Sequence, residues 1–279
     1  MGQRSKASEI AFFGGSFTAL DRDYMLSLLS AAKPYLNSFY GVRISTRPDY
    51  IDDEVLDILR SYGVTAIELG AQSMDNSVLE LNERGHTAQD VENACKLIRE
   101  NGFSLGLQMM TGLYGSTVDK DIYTARRFIE LKPDTVRIYP TVIMENTDLE
   151  KYFHDGRYRP YPLETSVELC AKLILMFAKA DIEVIRLGLH DSDSLRQHAV
   201  FDNYHPAFKE LCENKIFLDS FLDLAKQTDK KKINVTVHPR SLSKFLGQKK
   251  SNYKKLCEMG YDLNIDFDDR LGKYELHIS

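Results

Sequence analysis

The chain has no tryptophan and only four cysteines among its 279 residues. Cys95, Cys170, Cys212 and Cys257 stand far apart, and no two have metal-ligand spacing, which excludes a zinc knuckle and a disulfide framework. Each sits in a helix-like context beside Leu or Ala, so they are expected to be reduced core thiols of a cytoplasmic protein. No run of about 18 apolar residues exists, so no membrane span is expected and no membrane is a partner. Met1-Gly2-Gln3-Arg4-Ser5-Lys6 lacks the apolar stretch of a secretory signal, and Lys6 stands where myristoylation wants Ser or Thr. A net charge of −5 argues against a chain that binds polyanions with its whole surface, while leaving room for a local basic patch. No metal triad and no nucleophile–base pair stands out. His190, His198 and His205 have a spacing that suits no single helix face, so surface or core roles are expected. No catalytic residue and no metal ligand is therefore assigned.

Short β-rich runs alternate instead with amphipathic helices. Strands are expected at Glu9–Phe13, Gly41–Ser45, Ala66–Leu69, Ser104–Met109, Thr135–Tyr139 and Glu183–Leu187. Several are apolar on both faces, as strands buried between two layers should be. The helix ends are legible. Asp52 can cap a helix running through Tyr62, with Gly63 to close it. Thr87-Ala88-Gln89-Asp90 resembles a capping box, followed by Val91, Ala94, Cys95 and Ile98 on one face. Pro133 ends the helix built on Ile122, Ala125, Phe128 and Ile129.

Repeated strand–helix units imply a parallel sheet with right-handed crossovers. Glycines and polar residues follow almost every strand at its C-terminal end. In a barrel those ends converge on one face, whereas in an open sheet only the switch point would matter. The reading is an α/β fold, a partial (β/α) barrel. From about Leu195 the pattern changes. A helix opens at His205-Pro206-Ala207-Phe208 and reaches about Gln227. The charge run Lys230-Lys231-Lys232 then leads into the strand Ile233–Val237, followed by Ser241–Leu246, a Gly247-Gln248-Lys249-Lys250 loop, a helix from Ser251 to Glu258, and strands around Leu263–Phe267 and Lys273–Ile278. Two domains are expected, 1–227 and a small α+β unit at 228–279.

Taken singly, the strand-end residues are ambiguous. Gly14-Gly15 lets a ligand approach backbone or makes a tight turn. Arg47 and Asp49 read as a surface pair worth little. Gln72 and Arg84 could hold a hydroxyl and a carboxylate, or Arg84 could cap a helix C-terminus. Gln108 puts an amide at a strand end, and Met109 and Met110 read as core filler.

Their order is informative. Gly14-Gly15-Ser16-Phe17-Thr18, Ser45-Thr46-Arg47-Pro48-Asp49, Glu68-Leu69-Gly70-Ala71-Gln72-Ser73, Arg84-Gly85-His86-Thr87, Gln108-Met109-Met110-Thr111-Gly112-Leu113 and Arg137-Ile138-Tyr139-Pro140-Thr141 follow the order and contexts of radical S-adenosylmethionine (radical SAM) proteins. The resemblance covers about Glu9 to Phe208. It points to the branch holding the catalytic subunit of Elongator and its bacterial relatives, with oxygen-independent coproporphyrinogen III oxidase more distant. It implies a partial barrel in which a 4Fe-4S cluster and SAM generate a 5′-deoxyadenosyl radical that abstracts hydrogen from a substrate, here tRNA or another RNA. By the same resemblance Gly14 and Gly15 meet the methionyl amino group, and Ser16 stands where many members have Glu. Ser45 aligns where some relatives use Glu near the ribose. Gln72, Arg84 and Gln108 align with polar SAM contacts, and Tyr139 and Pro140 lie on the strand beside the adenine.

The family's three cluster cysteines lie upstream of the glycine motif, and here no Cys precedes Cys95. The resemblance therefore implies a barrel missing its first strand and cluster segment, unable to run radical chemistry alone. Truncation is the leading explanation. A cluster-free paralogue, or a partner chain supplying the missing segment, is the other. Val235–Leu256 resembles a KH-type unit, whose glycine loop clamps a nucleic-acid backbone; Gly247, Lys249 and Lys250 are its candidate RNA contacts. The alternative is a solvated charged face. Two functions stay open: a radical SAM enzyme, and a non-catalytic protein that binds SAM, a nucleotide or RNA.

Overall fold

The computed structural model describes residues 8–279; the signal and myristoylation readings at Met1–Lys6 lie outside them. In chain order the elements are β1 (Ile10–Phe12), α1 (Arg22–Ala32), β2 (Val42–Thr46), α2 (Asp53–Ser61), β3 (Val64–Gln72), α3 (Asn76–Leu81), α4 (Ala88–Glu100), β4 (Ser104–Thr111), α5 (Val118–Leu131), β5 (Thr135–Pro140), α6 (Asp148–His154), α7 (Leu163–Lys179), β6 (Glu183–Leu187), α8 (Asp193–His198), α9 (Phe208–Ala225), β7 (Lys232–Val237), α10 (Leu242–Leu246), α11 (Ser251–Glu258), β8 (Asp262–Phe267) and β9 (Leu276–Ile278). The chain divides into two compact units. One runs through Thr141 and adds Asn146–Pro160 and Phe177–Leu187; the other holds Val142–Glu145, Tyr161–Met176 and Gly188–Ser279.

The first unit is built on one sheet of six parallel strands in the order β1-β2-β3-β4-β5-β6. Strand periodicity separates its faces. Val42, Ile44, Ile67, Leu69, Leu105, Leu107, Val136 and Ile138 are buried against the helix layer. Helix α4 shows how the helices meet them. Its capping box is complete, with the Thr87 hydroxyl accepting from Asp90 N–H and the Asp90 carboxylate accepting from Thr87 N–H, and Val91, Ala94, Cys95 and Ile98 form its buried face. Asp52 caps α2 by accepting from Val55 N–H at 2.8 Å, and Gly63 takes a φ of +76° after it. Lys132, left-handed at φ +50°, closes α5 ahead of Pro133. The opposite face is polar, carrying Arg43, Ser45, Glu68, Gln108 and Arg137.

That polar face is concave. In a flat sheet β1 and β5 would stand about 19 Å apart, four strand spacings. Yet Phe13, just past β1, has its ring 4.8 Å from the Arg137 guanidinium of β5, so the sheet curls into the expected half-barrel.

The second unit carries a three-stranded sheet of order β8-β7-β9, with β8 parallel and β9 antiparallel to β7. Phe217 and Phe221 of α9 pack with Val235, Val237, Phe245, Leu256 and Leu276 in one core. Burying each phenylalanine contributes roughly 1.5–3 kcal/mol. Cys95, Cys170 and Cys212 are buried as the composition suggests, but Cys257 is exposed. It falls on the outer face of α11, one residue past the buried Leu256, so it is no core thiol. No helix among the described residues is long and apolar enough to cross a membrane.

Candidate functional site

The residues assigned to SAM lie in or just after the C-terminal halves of β1–β5, with Arg84 on the turn between α3 and α4; Gly247, Lys249 and Lys250 lie between α10 and α11. Gly14 and Gly15 are exposed; Gly14 has φ +113°, and a Cβ built on either meets nothing within 4 Å. The cradle is open to a ligand, and only glycine adopts the Gly14 conformation without strain. The turn is held from below. Thr18 donates its N–H to the Thr46 hydroxyl at 3.2 Å, and the two hydroxyls lie 2.6 Å apart. Ser16 starts the short helical turn Phe17–Ala19 without a side-chain cap.

At the end of β3 the ladder to β4 shifts register between Leu69 and Gln72. Gln72, nearly buried, sits at φ +62°. Its side chain folds over Gly70, where a Cβ would stand 2.9 Å from the amide nitrogen. Arg47 holds Asp49 with two hydrogen bonds of 2.9 and 2.6 Å, and the same guanidinium lies against Gly85, whose added Cβ would stand 2.7 Å from it. The pair is thus docked on the Arg84-Gly85-His86 turn, more than the solvated surface pair expected of it.

The Arg84 side chain does not cap α3. Its Nε is buried without a hydrogen-bond partner, and burial, with Arg47 nearby, holds its pKa below the usual range. A buried, unpartnered guanidinium donor is costly and favours an anionic ligand. His86 is buried beside it. Its Nε2 is 3.1 Å from the Ala71 carbonyl, Nδ1 has no partner, and burial lowers its pKa, with Arg84 adding to the effect.

A second group fills the floor of the half-barrel. Glu68 is 1% exposed. Arg137 donates to it at 2.5 Å (Nε–Oε2) and 2.9 Å (Nη2–Oε1), Arg43 at 3.3 Å and Gln108 at 2.8 Å. Gln108 also donates to the Ser45 hydroxyl at 3.1 Å, and Arg43 reaches Glu9 at 2.7 Å. Burial works against the Arg137 charge, but the Glu68 carboxylate outweighs it and raises the guanidinium pKa. Ser45 and Gln108 are thus brought together. Tyr139 follows on the same face, while Pro140 is buried on the other. Sequence reading passed over Glu9, Arg43, Glu68 and Arg137 as functional residues. A signal existed: ionisable residues at alternate positions inside strands of a parallel sheet must find partners.

The four free cysteines lie on α4, α7, α9 and α11, and no group of three His, Cys, Asp or Glu among the described residues could hold a metal ion. A 4Fe-4S cluster needs thiolates, so the described residues do not fit it. They do fit SAM, through the open Gly14-Gly15 cradle and the unpartnered Arg84 donor.

The chain matches the family model of the radical SAM superfamily over residues 1–129 and that of the radical SAM C-terminal domain over residues 133–217. It belongs to the radical SAM superfamily. A tRNA uridine(34) acetyltransferase of Dehalococcoides mccartyi is 32% identical to this radical SAM chain over 195 residues, covering 62% of it and 42% of the relative. Elongator complex protein 3 of Homo sapiens is 30% identical over 190 residues, covering 60% and 35%. The chain therefore spans less than half the length of these relatives. The solved structure of Methanocaldococcus infernus Elp3 with an N-terminal deletion shares the fold, with a TM-score of 0.68 and 24% identity, covering 76% of this chain and 54% of that one.

Residues past 217 lie outside both matched stretches of the radical SAM chain. From Lys230 to Cys257 there are nine Lys and Arg and no Asp or Glu. Between α10 and α11, Gly247 has φ +77°, and its Cβ would stand 2.8 Å from the Asn252 backbone nitrogen, so glycine is required there. Lys249 and Lys250 follow, both exposed and left-handed at φ +52° and +61°. The loop presents cations beside the first turn of α11. Lys244 is the exception in this stretch, paired with Glu213 at 3.3 Å.

Proposed function

We propose that this chain is the SAM-binding and RNA-engaging part of a radical SAM enzyme that modifies tRNA. The unpartnered Arg84 donor, buried beside His86, and the open Gly14-Gly15 turn carry the reading: one anion and one amino group would satisfy the two. Gly14 and Gly15 would take the amino group, Arg84 the carboxylate, Gln72, Ser45 and Gln108 the ribose side, and Tyr139 the adenine, while Pro140 faces the helix layer. SAM held here would support hydrogen abstraction only with one electron from a 4Fe-4S cluster whose thiolate ligands the described residues do not provide. The residues of this chain bind, orient and exclude water. Arg84 holds its charge at the ligand. The Gly247-Lys249-Lys250 loop would meet RNA phosphates, and the relatives' names support tRNA. Free thiols suit a cytoplasmic location.

Calorimetric titration with S-adenosylhomocysteine tests the site. Arg84→Ala should weaken binding about tenfold or more, the worth of a charge-assisted hydrogen bond. No binding by the wild-type chain would end the reading. Anaerobic reconstitution with iron and sulfide separates the alternatives. Formation of 5′-deoxyadenosine marks an enzyme; retained ligand and RNA affinity without it marks a non-catalytic binding protein.

A further inference from the structure

We infer that Glu68 is a positioning residue that sets the orientation of the Gln108 amide, so that the site offers a hydrogen-bond acceptor there and takes a donor from its ligand. The inference rests on the SAM reading above and concerns a residue that reading does not use.

A glutamine amide has two faces that look alike in shape and are opposite in chemistry. Glu68 removes the choice. Its carboxylate accepts two hydrogen bonds from Arg137 and one from Arg43, so it presents acceptor oxygens to this face. Nε2 of Gln108, 2.8 Å away, must then be the atom that faces it. The flipped amide would set two acceptors against each other at that distance. The remaining Nε2 proton goes to the Ser45 hydroxyl at 3.1 Å. Both amide protons are spent within the floor, and Oε1 accepts nothing among the described residues. It is left as the polar atom Gln108 can offer a ligand, at a half-buried position near the end of β4.

The approach that makes this possible is also encoded. Gly106 precedes Gln108 on the same face of β4, and a Cβ there would stand 2.7 Å from Glu68 Cγ. Its missing side chain opens the notch through which Glu68 crosses from β3 to meet Arg137 on β5. The acceptor at Oε1 matches a hydroxyl or an ammonium and disfavours a carboxylate or phosphate oxygen. Arg84 on the turn after α3, by contrast, offers a donor and prefers an anion. The two positions thus select opposite chemistry in a ligand.

The test uses side-chain amide 15N–1H spectra of the free chain together with titration by S-adenosylhomocysteine. The wild type should show a Gln108 NH2 pair with slowed solvent exchange. Glu68→Gln should lose that signature and weaken binding about fivefold to tenfold, roughly one net hydrogen bond. Gln108→Leu should weaken it to a similar extent, and the double variant should be no weaker than the weaker single one. Should Glu68→Gln not fold, the paired Glu68→Gln/Arg137→Gln chain, with no stranded guanidinium at β5, carries the same readings. A freely exchanging Gln108 amide in the wild type would overturn the inference. So would wild-type affinity in Glu68→Gln, or losses that multiply in the double variant. If the wild type binds no S-adenosylhomocysteine, the SAM reading fails, and the amide spectrum still decides whether Glu68 sets Gln108.

Discussion

Glu68 on β3 and Arg137 on β5 form a two-bond ion pair across the intervening β4, at 2.5 and 2.9 Å, because β4 carries Gly106 at the crossing. Gly106→Ala would put a methyl carbon 2.7 Å from Glu68 Cγ, and Glu68 is held in place by hydrogen bonds from Arg137, Arg43 and Gln108. The variant should lose about 1–3 kcal/mol, the usual cost of overpacking, read as a lower urea midpoint at an unchanged slope.

Removing the Glu68 carboxylate alone strands Arg137 in a half-buried floor, while Arg43 keeps Glu9 at 2.7 Å. Glu68→Gln should cost about 3–5 kcal/mol. Replacing both partners together, Glu68→Leu with Arg137→Met, should recover most of that loss, because no uncompensated charge remains. A urea unfolding series on the three chains checks the ordering.

His86 links stability to pH. Burial, with Arg84 adjacent, lowers its folded-state pKa, against opposing contributions from its Ala71 carbonyl contact and from Asp49, with Arg47 lowering it further. The unfolded imidazole takes a proton near its ordinary value of about 6.5; the folded one takes it only at lower pH. The contribution is therefore fully present above about 6.5 and is lost as pH falls toward the folded value. His86→Gln should flatten that acid limb, seen by comparing urea midpoints at about pH 7.5 and about pH 5.5.

The α4 capping box supplies a control away from the site. Thr87→Ala removes the hydroxyl that accepts from Asp90 N–H at 3.2 Å. It should cost about 1 kcal/mol and leave S-adenosylhomocysteine affinity unchanged in the same titration.

The Gly247–Lys250 loop makes a separable prediction. Lys249→Glu and Lys250→Glu should each weaken RNA binding, and each should reduce the slope of log affinity against log salt by about 1. Filter-binding titrations with a tRNA at several salt concentrations measure both. Unchanged affinity and slope would return the loop to a solvated charged face.

The alternation of apolar and polar residues in β2 and β5, the capping residues Asp52 and Thr87, and the stops at Gly63 and Pro133 are local chemistry. They determined strands, helices and the parallel order, since period and capping depend only on neighbours in the chain. The family motifs likewise marked Gly14, Gly15, Gln72, Arg84 and Gln108 in advance. Other facts depended on distance in space. Arg84 read equally well as a helix cap until its Nε was seen buried and alone. Arg47 and Asp49 read as a surface pair until they docked on Gly85. Cys257 read as core until α11 turned it outward.

Glu68 is the clearest case. Within Glu68-Leu69-Gly70 it is one carboxylate in a motif, and nothing nearby in the chain says which cations will reach it. Arg43 lies 25 residues away and Arg137 lies 69 away. Only the curl of the sheet, and the gap left by Gly106, brings them to one carboxylate. Local order in the chain determined which elements form. The long-range closure of the half-barrel decided which charges meet and how they are neutralised, because a buried charge must be partnered wherever in the chain its partner lies.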